Sequence, residues 1–207
     1  KMTVGSATHR GGSVNIRGGT SSGESGAIIS IFAGSAGADN TGGYISVSSG
    51  KSLYASSGNL MVYSKNGGNS GVSGNLLFKS GTSSLGSSGK IAIQVGDGVN
   101  GQSGNIHFQS GEGIKGGLIK FTGGSSTSGN AGGGLQLQGG KANIGGHGKI
   151  FAGSSGLFTG GTSTFSSGVG STTSSGSIVV RSTTSQVSGS LHLYSGGSKQ
   201  GVSGTVD

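Results

Sequence analysis

Glu24, Asp39, Asp97, Glu112 and Asp207 are the only carboxylates in this chain, and they stand apart from one another. General acid–base and glycosidase chemistry needs two carboxyl groups held across one bond, so the spacing offers no catalytic pair. Calcium binding of the Gly-Gly-x-Gly-x-Asp kind needs an aspartate in every turn and is excluded for the same reason. There is no cysteine, which removes thiol nucleophiles, disulfides and thiolate metal ligands together. His107 and His192 share one place in a repeat described below. In a stacked array they would stand about 15 Å apart, too far to share a metal. No catalytic, cofactor-binding or metal-ligating residue is therefore expected, and the chain does not read as an enzyme.

Two glycine-rich stretches imitate nucleotide sites. Gly96-Asp97-Gly98-Val99-Asn100-Gly101 fits G-x-G-x-x-G and follows the apolar run from Ile91 to Val95. That fingerprint works only where a helix N-terminus faces the pyrophosphate, and Gln102-Ser103-Gly104-Asn105 leads instead into another strand-like stretch. Gly50-Lys51-Ser52 resembles the end of a phosphate-binding loop, but the first glycine of that motif would fall on Ile45.

Charge is the remaining chemistry. Thirteen Lys and Arg against five Asp and Glu give a formal +8. Arg17, Lys79, Lys90, Lys120, Lys149 and Arg181 flank apolar positions on what would be the outward face of a strand. Two readings stay open: isolated cations that keep a surface soluble, or a row of weak sites for an anionic polymer such as acidic polysaccharide or silica. Nucleic acid is not expected, because no arginine-rich patch with interleaved aromatics is present.

The elements that would position these groups are copies of one unit. In Gly104-Asn105-Ile106-His107-Phe108-Gln109-Ser110-Gly111 two apolar side chains sit two residues apart between polar neighbours, the period of a half-buried strand. The unit recurs, with first apolar slots at Met2, Val14, Ile29, Ile45, Leu60, Leu76, Ile91, Ile106, Ile119, Leu135, Ile150, Ser163, Ile178, Leu191 and Val206; these define repeats 1 to 15. Of the 29 slots, 28 are apolar, Ser163 being the exception. Glycine stands two residues before the first slot in thirteen of fourteen repeats, Ala27 being the exception, and five residues after it in ten of fourteen. Gly, Ser and Thr supply 108 of the 207 residues, a composition near that of a linker, but a linker has no reason to set apolar residues at a fixed spacing.

Stacking solves the problem of burying so thin an apolar face, so the expected fold is all-β, a parallel β-solenoid of ~15-residue strand-arc units. From even to odd repeats the spacings are 15, 15, 15, 13, 15, 15 and 15; from odd to even they are 12, 16, 16, 15, 16, 13 and 13. Two kinds of connection imply two units, about thirty residues, per coil and about seven coils, a rod of roughly 35 Å. A polyproline-type bundle would need glycine at every third position, and an antiparallel meander usually has loops of about two to five residues. Apolar residues in the connections, among them Leu53, Val72, Leu85, Val99, Ile114, Ile144, Val169, Val187 and Val202, are expected to plug the ends of the thin core.

Proline is absent, which suits a continuous ladder, and none of the ten asparagines lies in an N-glycosylation sequon. Lys1 to Gly5 already reads as a strand with no signal-peptide pattern, and Thr205-Val206-Asp207 reads as one cut short. Residues 1–207 are thus expected to be one continuous repeat array, a segment of a longer protein or filament that associates with itself head-to-tail or laterally, with no membrane insertion.

Ser73-Gly74-Asn75-Leu76-Leu77-Phe78-Lys79-Ser80-Gly81 and Ser188-Gly189-Ser190-Leu191-His192-Leu193-Tyr194-Ser195-Gly196 resemble the Ser/Gly-rich "SG-x-I-x-I-x-SG" repeats of large surface proteins in diatoms and other microalgae, and similar repeats in phage or virus tail fibres. The resemblance covers the whole chain. It implies an extracellular or appendage protein with a structural role, such as the shaft of a filament, a surface layer or an adhesive, and carries over no functional residue. Ice binding is demoted, since a flat ice face would repeat Thr in one outward slot and here that slot holds residues as different as Thr3, Met61, His107 and Phe151. The register itself is testable. Truncating inward Phe108 to Ala should cost roughly 3 to 5 kcal/mol if the ring is fully buried, and His107→Ala almost nothing; equal effects in urea denaturation would place the register one residue off.

Overall fold

Side chains two residues apart meet on one side of a chain only when its backbone is extended. The computed structural model, which describes residues 3–5, 11–127, 131–171, 174–199 and 201–207, shows this pairing within the repeats. The His107 ring nitrogen Nε2 lies 3.0 Å from Gln109 Oε1, and Gln136 Nε2 donates to Gln138 Oε1 at 3.4 Å. The Tyr194 hydroxyl and His192 Nδ1 stand 3.0 Å apart. Counting the first slot of each unit as place zero, these side chains occupy odd places, so the alternation read from the sequence holds in these repeats. Odd places point away from the apolar slots, and even places share their face.

Glycine decides what happens between segments. The N–H of the residue two before a first slot donates to the carbonyl of the residue five after the preceding one in the pairs Ala27–Gly19, Gly43–Gly34, Gly58–Gly50, Gly117–Gly111, Gly133–Gly124 and Gly176–Gly168, at 2.8–3.2 Å. Gly146–Gly140 and Gly161–Gly153 close their loops in the same way with the partner shifted by two residues. Each bond draws the end of one segment against the start of the next and forms a neck beneath a loop. The Phe108 and Phe121 rings meet edge to face with centroids 6.4 Å apart, which shows the chain reversing at the neck between repeats 8 and 9.

The two glycine positions of the frame are not equivalent. A Cβ at Gly43 would lie 3.2 Å from the Gly34 nitrogen, and one at Gly133 3.1 Å from the nitrogen of Gly124. Gly34, Gly50, Gly111, Gly124 and Gly168, the carbonyl partners, face open space. At this donor position a Cβ would also be crowded at Gly117 and Gly161, but it would make only ordinary contact at Gly58, Gly74, Gly89 and Gly176 and would meet nothing at Gly148, Gly189 and Gly204, so steric demand accounts for the glycine in only part of the repeats. The lone Ala27 faces Gly18, whose own Cβ would stand 3.4 Å from that of Ala27. Elsewhere the residue facing the neck glycine is most often serine, as at Ser49, Ser80 and Ser167.

The parallel β-solenoid is overturned: no helix and no strand forms among the described residues. With it go the two-unit coil, the seven-coil stack and the rod derived from them. The physical reason lies in the necks. Backbone bonds between segments form only at these loop closures among the described residues, and none joins a segment to the next but one, the pairing that a stacked coil requires. Loop residues do not plug a core either: the nine apolar ones named above are 80–112% exposed, against 43–79% for Leu, Ile, Val and Phe in the described slots. The slots do share a partly covered face. Met2, a first slot, lies outside the described residues.

The chain divides into two halves, Lys1–Ile106 and His107–Asp207, each built from the same necked repeats. The total accessible surface is 21144 Å². A folded monomer of this mass exposes about 8,600 Å² and an extended chain about 28,600 Å², so little of the apolar face is removed from water. Because the Phe108 ring stays half open, Phe108→Ala is now expected to cost about 1–2 kcal/mol. Hydrogen exchange tests the necks: Gly43→Val should abolish protection of the residue 43 amide, whereas Gly34→Val, into open space, should leave it protected. Equal loss in both variants would sink the steric account.

Candidate polyanion-binding surface

Arg17, Lys79 and Arg181 occupy the outward place just after the second slot, Lys120 the outward place between its slots, and Lys90 and Lys149 the place just before the first slot. All six are exposed. By alternation alone, these places lie on the face away from the apolar slots. Arg17, Lys79 and Lys90 belong to the N-terminal half, and Lys120, Lys149 and Arg181 to the C-terminal half. The structure does not gather either set into a pocket: no enclosed cavity forms among the described residues. No group of three or more His, Asp or Glu side chains able to hold a metal occurs among them either. The arrangement can place single ammonium or guanidinium groups against a polyanion in water, one at a time, where each contact is weak and screened by salt.

Three features escaped the reading of the sequence. The Tyr63 ring lies under Lys65 Nζ at 4.9 Å from its centroid, a cation–π contact. The His192 and Tyr194 rings stack at 5.6 Å with 9° between planes. Both pairs follow from the two-residue period applied to the outward face, a signal present in the sequence once alternation is read for polar as well as apolar residues. The third is a set of loop lysines, Lys51, Lys115 and Lys141, which lie outside the slots on which attention to the segments falls.

No protein-family model, curated protein or solved structure matches the chain. No helix among the described residues is long and apolar enough to cross a membrane. Six dispersed cations make a graded prediction: each single Lys→Gln or Arg→Gln change at these positions should weaken binding to dextran sulfate by about five-fold or less, and none should abolish it. Complete loss in one variant, measured by titration at fixed salt, would reveal a focused site instead.

Proposed function

We propose that this chain is a structural repeat element, working as part of the shaft of an extracellular filament, surface layer or adhesive through association with further copies. The observation that carries this reading is the chemistry of the inward face. Its places are the two slots, the neck glycine before them and the small residue two beyond them. They hold only Gly, Ala, Ser and apolar residues in every repeat, with no charged residue at any. A face kept free of charge in a chain of net +8, yet largely open to water, is suited to being covered by a like face.

A second reading, a binding module for an anionic polymer such as acidic polysaccharide or silica, is favoured by one observation: all six outward cations named above are exposed. Negative-stain microscopy and light scattering of the purified chain, with and without an acidic polysaccharide, separate the two. Concentration-dependent fibres or sheets without the polymer support the structural reading. A monodisperse monomer that binds the polysaccharide tightly supports the binding module and overturns the first.

A further inference from the structure

Reversal at the bonded necks, and at loops 65–75 and 81–90, where Gly74 and Gly89 approach Ser64 and Ser80 without a neck bond, sends alternate loops to the same end of their segments, so each half has two loop edges. In the N-terminal half one edge carries loops 19–28, 50–59 and 81–90, and the other carries 34–44, 65–75 and 96–105. In the C-terminal half the first edge carries 111–118, 140–149 and the loop closed by Gly168 and Gly176, and the second carries the loop closed by Gly124 and Gly133 and residues 153–162. Lysine is divided unevenly between them. The first-edge loops hold Lys51, Lys90, Lys115, Lys141 and Lys149 against Glu24 and Glu112. The opposite loops hold Lys65 against Asp39 and Asp97.

The same cationic loops raise apolar side chains at their tips. Leu53, Tyr54, Leu85, Ile114 and Ile144 are all exposed. Serine sets two of these tips: Ser52 Oγ accepts the Ala55 N–H at 3.0 Å, and Ser83 Oγ accepts the Gly86 N–H at 3.0 Å. Each bond fixes a tight bend whose intervening residues, Leu53 and Tyr54 in one and Leu85 in the other, are turned out to water. Isolated surface leucines need no explanation, but leucine or isoleucine on a lysine-bearing loop of the same edge, twice in each half, is a pattern.

We propose that this loop edge, in each half, docks on the surface of an anionic phospholipid bilayer. Lysine ammonium groups meet the headgroup phosphates, and the Leu, Ile and Tyr tips enter the boundary between headgroups and acyl chains. The apolar tips are what favour a bilayer over a hydrated polyanion, since a soluble polysaccharide has no apolar layer to receive them. This is surface docking through loops, with no segment crossing the membrane, and it stands independently of the filament reading.

Co-sedimentation of the full chain with vesicles tests it, using phosphatidylcholine alone and phosphatidylcholine mixed with phosphatidylglycerol. The wild type should bind only the anionic vesicles, and less in high salt. Each change among Lys51→Gln, Lys90→Gln, Lys115→Gln and Lys141→Gln should weaken binding by about five-fold. Joint replacement Leu53→Ser, Leu85→Ser, Ile114→Ser and Ile144→Ser should weaken vesicle binding more than ten-fold, with dextran sulfate binding unchanged. Lys65→Gln with Val72→Ser, on the opposite edge, should have no effect. No vesicle binding, an unaffected tip variant, or an equal loss in the opposite-edge control each overturns the proposal. The second of these outcomes would assign the edge to a hydrophilic polyanion. Light scattering of each variant separates a change in assembly from a change in lipid binding.

Discussion

A single backbone hydrogen bond between two small residues carries the architecture. At each neck the chain must approach itself closely enough for an N–H to reach a carbonyl six to nine residues away, and the side chain on the donor residue stands in the path of that approach. At Gly43, Gly133 and Gly161 only hydrogen fits there without displacing the backbone opposite, whereas at Gly58 and Gly176 a Cβ would make ordinary contact. Where a methyl group does occur, at Ala27, the facing residue is Gly18, so the pair stays small even though the members exchange roles. Everything else in a repeat hangs from this closure: which ends meet, which side chains face one another, and which loops project from which edge.

The closure also explains why so regular a sequence leaves so much surface open. Bringing two segments together through their side chains aligns the apolar slots without pairing the backbones, and two segments with two slots each cannot enclose one another. The slots are screened on one side, as the Phe108–Phe121 contact illustrates, and remain wet on the other. An arrangement of this kind gains little from the hydrophobic effect alone and much from a further surface of the same character. That connects the absence of charge on the inward face with the proposed self-association: charge there would cost little in an isolated chain and a great deal in a covered one.

Charge has instead been distributed over the odd places and the loops, with Lys90 and Lys149 common to both, and the cations differ in their surroundings. Cations on segments stand singly on an open face, suited to a diffuse and salt-sensitive attraction. Loop lysines stand beside Leu53, Leu85, Ile114 and Ile144, so they combine with apolar tips into an amphipathic edge. The same residue type thus serves different chemistry according to its neighbours.

The period of two, the slots at Ile106 and Phe108, and the outward place of His107 were legible in the sequence because alternation in an extended chain is a local property, set by backbone geometry whatever the segments do next. The glycine frame was legible as a pattern, but its meaning was not: thirteen glycines at one place and ten at another look alike until space around Gly43 and Gly34 is compared. Whether segments stack in parallel or reverse and face one another depends on how the backbone closes each loop. Length and composition allowed either, since nine residues rich in Gly and Ser can form an arc or a reversal. Solvent exposure of the loop residues was beyond local reading for the same reason: Leu85 in its Gly- and Ser-rich loop could plug a core or stand in water, and the Ser83–Gly86 bend turns the side chain outward.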